Sequence, residues 1–89
     1  MLEGEGVSEQ RVGLEYAVRV LESLPSYVRV AFRTRDGREM SGLTRDWPGV
    51  GRRLTMDSGF EWFVTAESLG PERVDVVGIE VEPMRLEVV

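Results

Sequence analysis

The hydrophobic period changes once along this chain, at Pro25, and that change restricts the fold more than any other feature. Before it, "SEQRVGLEYAVRVLESLPS" places Leu14, Ala17, Val18, Leu21 and Leu24 at helical spacing, with Arg11, Glu15, Arg19 and Glu22 on the opposite side. After it, from Tyr27, the period is two: Val28, Val30 and Phe32 alternate with Arg29, Ala31 and Arg33. The spacing predicts one amphipathic helix, capped at Ser8 and ended near Leu24 because Pro25 disfavours helix in the residue before it, followed by strands to the end of the chain. Gly13 weakens that helix internally, so it needs a sheet to lie on.

Two glycine-ended loops set the strand register. In "TRDGRE" a three-residue loop of Arg35, Asp36 and Gly37 places Met40 opposite Phe32 and Glu39 opposite Arg33, whereas a two-residue turn would face Met40 with Arg33; the hydrophobic pattern prefers the first. In "RRLTMDSGFEWFVTAESL" the loop Asp57, Ser58 and Gly59 pairs Met56 with Phe60 and Leu54 with Trp62 on one face. Thr55 with Glu61 and Arg53 with Phe63 then face the other way. Trp62 reads as core. Phe63 reads as packing beneath the helix, with a subunit interface as its second reading, since open edge strands invite pairing. The last long run, "VDVVGIEVEP", slips phase at Val77 and Gly78, which predicts a bulge or bend. Beyond Pro83, "MRLEVV" reads as a short sixth strand or an ordered tail.

With 89 residues there is room for one domain, expected over 8–89 behind a flexible acidic tail over 1–7. Nothing repeats, no cysteine is present, and no segment reaches the length of about 20 apolar residues that a membrane helix needs. The expectation is a soluble, unexported, cytoplasmic protein without disulfides or thiolate metal sites. Catalysis is poorly supplied. Histidine and cysteine are both absent, which removes the usual base and nucleophile of acyl transfer. The acid pairs Glu80 with Glu82 and Glu61 with Glu67 read as the wet side of strands. "GVGRR" lacks the context and the Lys-Ser/Thr of a phosphate loop. No enzyme, cofactor or metal is expected.

The net charge of −5 is uneven: −3 over residues 1–28, +4 over 29–53 and −6 over 54–89. All eleven positive charges are arginine. Arg29, Arg33 and Arg35 belong to the first strand and its turn, Arg45 to the end of the second strand, and Arg52 and Arg53 to the start of the third. With neighbouring strands these six make one patch, and Trp47 of "TRDWPGVGRR" stands at its edge. Arginine with tryptophan is the composition of interface hot spots and of single-stranded nucleic-acid platforms. Trp47 reads equally well as a plug folded into the mouth of a barrel.

One helix followed by five short, bent strands resembles the Sm-like small barrels, a variant of the SH3-like fold. "YVRVAFRTRDGREMSG" looks like the first Sm motif, with alternating apolar residues, a basic residue, a turn ending in Gly37, then Met40 and Gly42. Sm proteins that hold single-stranded RNA carry Asp-x-x-Met-Asn after the second strand, where this chain has "DWPGVG", and a basic residue before glycine near the end, where it has Val76, Val77 and Gly78. Among relatives without that pocket it is closest in style to the Rof family, acidic helix-plus-barrel proteins that bind the termination factor Rho. The shared features are the helix, the basic-Asp-Gly hairpin and the acid-x-apolar strand end "AESL". The expected fold is therefore an amino-terminal helix and a five-stranded Sm-like barrel. The expected function is docking on a protein partner through Arg29, Arg33, Arg35, Arg45, Trp47, Arg52 and Arg53, and the resemblance implies transcription or RNA-handling machinery. The alternatives are direct binding of single-stranded RNA or DNA by the same patch, and a structural subunit of a homo-oligomeric ring.

Overall fold

A computed structural model describes the backbone of residues 2–88 and the side chains of 11–88. It contains one helix and one antiparallel sheet: α1 (Leu2–Ser23), β1 (Arg29–Thr34), β2 (Glu39–Arg45), β3 (Arg52–Met56), β4 (Glu61–Val64), β5 (Val76–Val81) and β6 (Met84–Glu87). The strand order is β4-β3-β2-β1-β5-β6. The first four strands form a meander, and β5 returns to the free side of β1. Two expectations are corrected. There are six strands rather than five, and the sheet is open, with β4 and β6 as its edges, so no closed barrel forms. The sixth strand exists because Glu82 and Pro83 turn the chain back, letting Met84 pair with Val81 and Leu86 with Ile79. No helix among the described residues is long and apolar enough to cross a membrane.

The helix ends at Ser23, as Pro25 requires, but begins at Leu2 rather than at Ser8. Glycine inside a helix costs only about 1 kcal/mol against alanine, so Gly4 and Gly6 do not mark its boundary. The Ser8 side chain lies outside the described residues.

Both hairpins have the expected register. Phe32 pairs with Met40 and Arg33 with Glu39; Leu54 pairs with Trp62 and Arg53 with Phe63. Gly37 and Gly59 supply the left-handed residues these loops need, at φ 90° and 91°. The slip near Gly78 is a bulge: Arg33 pairs with Gly78 and Thr34 with Val76, leaving Val77 unmatched.

One face of the sheet carries the core. Leu14, Ala17, Val18 and Leu21 of the helix are buried in one cluster with Val30, Phe32, Leu54, Trp62, Val64, Val76, Ile79 and Val81. Phe32 and Trp62 meet at 4.9 Å between centroids, tilted by 59°. Buried polar groups are satisfied there. The Thr44 hydroxyl donates to the Pro25 carbonyl (2.7 Å) and accepts from the Val28 N–H (2.9 Å), which ties the helix exit to β2. The second face of the sheet looks away from the helix.

Candidate functional site

The seven sequence-predicted residues divide into three groups. Arg29, Arg33 and Arg35 lie on the outer face or its rim, and each is committed to a carboxylate. Arg29 forms a fork with Asp57 (3.1 and 2.5 Å), Arg33 reaches Glu87 (3.0 Å) and Arg35 reaches Asp75 (2.9 Å). Arg33 arrives by crossing β5 over Gly78, where an added Cβ would sit 2.7 Å from its Nη2. These pairs are exposed and contribute little stability, but they cancel the positive charge that the sequence suggests for this stretch.

Arg52 does not belong to the surface at all. It follows Gly51 onto the core face, is only 6% exposed, and donates to carbonyl oxygens: Nη1 to Leu21 (3.0 Å), Glu22 (3.2 Å) and Leu24 (2.6 Å), and Nε to Arg45 (2.9 Å). A helix leaves its last carbonyls without partners, and a cation is favoured at that end. Arg52 is thus the C-terminal cap of α1, a role invisible to a reading that has only strand alternation to work with. Beside it, Glu22 accepts from the Gly51 N–H (2.7 Å), so the loop before β3 is fastened to the helix from both sides. Gly51 has φ 88°, and a Cβ there would stand 2.3 Å from the Val64 carbonyl oxygen.

The third group is brought together. Trp47 folds back onto the outer face and meets Phe63 at 4.9 Å, tilted by 51°. Its Nε1 donates to the Val50 carbonyl (3.2 Å), and Gly49 lets the loop lie against the indole, since a Cβ at that position would be 2.9 Å from Nε1. Trp47 remains 40% exposed and Phe63 49% exposed. Trp47 is therefore not a plug in a barrel mouth, and Phe63 does not lie under the helix. Antiparallel alternation puts Phe63 opposite in sense to Trp62, and the helix has taken the Trp62 face.

Arg45 and Arg53 lie directly opposite one another on the same face, a like-charge cross-strand pair. Arg45 Nη1 donates to the Thr55 hydroxyl (3.1 Å), and its guanidinium covers the Tyr27 ring at 5.2 Å from the centroid. Arg53 Nε is 3.7 Å from Glu61 and makes no hydrogen bond among the described residues. Glu61 is instead engaged by the Thr55 hydroxyl (2.7 Å). Of the two arginines, only Arg53 has a carboxylate within 4 Å among the described residues. Tyr27 adds a further signal: it is exposed and holds φ 67°, a conformation that glycine or asparagine adopts more readily.

The sequence alone does not mark Tyr27 and Phe63 as site residues, although the hairpin register puts Phe63 beside Arg53. What the sequence lacked was the fold-back of the loop that puts Trp47 on it. Asp36, at the β1–β2 turn, has its carboxyl held below the ordinary range because the Thr34 hydroxyl donates to it, with the Arg38 N–H and guanidinium adding to the effect against some desolvation. It lies apart from the aromatic cluster. No group of three acidic side chains that could hold a metal ion occurs among the described residues. In comparison with known proteins, the chain matches no family model, no curated protein and no solved structure.

Proposed function

We propose that the protein is a non-enzymatic binding module that docks on a protein partner through the outer face of its sheet around Arg45, Trp47, Arg53 and Phe63, with Tyr27 at the rim. The observation that carries this reading is the half-exposed Trp47–Phe63 pair beside two arginines set opposite one another across the strands, of which only Arg53 has a carboxylate near it among the described residues. Aromatic rings with arginine are the composition from which interface hot spots are built. A ring pair kept in water at the end of a strand gains from being covered. The helix, the four-strand meander and the basic-Asp-Gly hairpin are compatible with the Sm-like and Rof-like resemblance, which directs the search toward transcription and RNA-handling machinery, with Rho the first partner to try.

Direct binding of single-stranded nucleic acid by the same surface is less well supported. A phosphate track needs free cations in a row, and Arg29, Arg33 and Arg35 are each matched with an acid while Arg52 is buried. The test joins two measurements. Immobilised wild-type protein is expected to retain a partner that the Trp47→Ala variant releases, with both variants folded. Labelled single-stranded RNA is expected to show no change in anisotropy with added protein at low salt. RNA binding that falls steeply as salt rises would overturn the protein-docking reading and put the nucleic-acid one in its place.

A further inference from the structure

The two edges of the sheet are unequal. In antiparallel ladders, residues alternate between bonding the neighbouring strand and pointing their N–H and C=O groups away from it. The Met56 N–H donates to the Phe60 carbonyl (2.8 Å), so the even residues Trp62 and Val64 bond to β3. It follows that Glu61 and Phe63 turn their backbone N–H and C=O groups to the open side of β4. On the other edge, the Val88 N–H donates to the Val77 carbonyl (3.0 Å), so Arg85 and Glu87 face outward from β6, and both are charged. Charged side chains guard an edge against strand addition. Of the two outward residues at β4 only Glu61 is charged, and the other is the half-exposed Phe63.

We infer that β4 pairs with β4 of a second copy of this chain, antiparallel about a two-fold axis through Trp62. Only this register uses every free group. It sets Glu61 against the partner's Phe63 and Phe63 against the partner's Glu61, two hydrogen-bonded pairs and four bonds in all, with the two Trp62 residues opposite at the centre. Moving the pairing along by one step of the pleat would set Glu61 against Thr65 of the partner subunit. The Thr65 N–H is already taken by Ser68 Oγ (2.9 Å) and its carbonyl by the Leu69 N–H (3.2 Å) and the Ser68 hydroxyl (3.0 Å), so that register loses a bonded pair at each end. The window closes after Val64, which also leaves a longer foreign strand nothing more to bond. The occupant that matches a two-residue, self-complementary window is the same window turned around.

Edge pairing leaves the outer faces uncovered. The two Phe63 rings fall in diagonal positions across the seam, within reach of one another at about 7 to 8 Å between Cα atoms, each with its own Trp47 behind it. The dimer thus presents one continuous aromatic strip. The pairing stands independently of the docking reading; only the use of this strip as a composite docking face rests on it.

The test is the mass in solution. At about 0.1 mM, a hundredfold above a micromolar Kd, sedimentation equilibrium is expected to give twice the 10.0 kDa of one chain. The value should hold or rise with added salt, because screening relieves repulsion between two chains of charge −5. Glu61→Pro removes an outward N–H that β3 does not use, at the first residue of an edge strand, where proline is tolerated, and should return the mass to that of one chain. Phe63→Glu, which sets a carboxylate against the partner's Glu61, should do the same with the backbone intact. Melting curves of both variants confirm that they are folded. A wild-type mass of one chain, a dimer that dissociates on adding salt, or a dimer that survives in either folded variant would overturn the inference. Loss of partner capture in Trp47→Ala with the mass still doubled would separate the docking face from the seam.

Discussion

Replacing Arg52 by methionine should be the most damaging single change of charge in this molecule. The side chain is 6% exposed and makes four hydrogen bonds, three of them to carbonyls at the end of α1. Hydrogen bonds to a charged group contribute about 1.5 to 3 kcal/mol each, so four give a gross value of roughly 6 to 12 kcal/mol. Desolvating the guanidinium takes several kcal/mol back. The net loss expected is about 3 to 5 kcal/mol, of the size seen when one side of a buried polar pair is removed. Methionine keeps the apolar stem, so the loss measures the donors rather than a cavity. A chain of 89 residues has a total stability of roughly 4 to 13 kcal/mol, and each kcal/mol moves Tm by roughly 4 to 8 °C in a domain of this size. Arg52→Met should therefore melt at least about 12 °C lower than wild type, read by far-UV circular dichroism. Arg52→Lys should recover part of this, since an ammonium can reach some carbonyls without the guanidinium fork. A shift for Arg52→Met of under about 5 °C would refute the capping argument and mean that water serves these carbonyls as well as Arg52 does.

Gly51→Ala should destabilise by several times more than Gly37→Ala, because both have left-handed φ but only Gly51 has a carbonyl oxygen within 2.3 Å of the added Cβ; urea denaturation of the two variants makes the comparison. Gly37→Ala should cost about 1 kcal/mol, the conformational term alone. Trp47→Ala should lower stability by less than the roughly 3 to 5 kcal/mol of a core tryptophan, because the ring is 40% exposed and its tilted contact adds only about 0.5 to 1.5 kcal/mol beyond the area it buries; with a melting curve showing the variant folded, a loss of partner capture is read as lost binding. Asp36 should titrate below the usual carboxylate range by NMR, and Thr34→Val should move it upward. Because its folded pKa is depressed, whatever Asp36 adds to stability is present above its unfolded pKa and disappears as pH falls through the folded one.

The strand register was legible in the sequence because side-chain alternation and a glycine at the end of each loop allow few solutions. Phe32 can meet Met40 only if the loop has three residues, and Leu54 can meet Trp62 only if Gly59 closes its turn. The same alternation placed Trp62 in the core. It failed where the deciding partner is remote. The sequence points Phe63 toward the helix because the helix needs an apolar bed, yet that bed is the Trp62 face, and period two cannot say on which face a distant element settles. Arg52 looks like a surface charge in the sequence because arginine usually is one, and the carbonyls of Leu21, Glu22 and Leu24 that hold it lie 28 to 31 residues away in the chain. Barrel closure depends on whether the edges meet, which no local pattern encodes. The Arg29, Arg33 and Arg35 patch looked cationic because Asp57, Glu87 and Asp75 are far off in sequence.

The return of β5 to β1 has a consequence in time. The meander from β1 to β4 is built from neighbours and can form as soon as those residues are available, whereas β5 must close a loop of more than forty residues to reach β1. Until Val76 to Val81 arrive, the strand carrying Val30 and Phe32 has one bare side. A chain is synthesised from its amino terminus, so the residues of the meander are available before those of β5, and a meander formed in that interval has this inner strand as an edge. Arg29 and Arg33 flank the exposed apolar residues during that interval, before β6 exists to give Arg33 its Glu87. The Arg33 charge, neutralised by Glu87 in the finished fold, is unpaired just when an open strand most needs repulsion from its neighbours, whereas Arg29 already has Asp57 of the meander beside it.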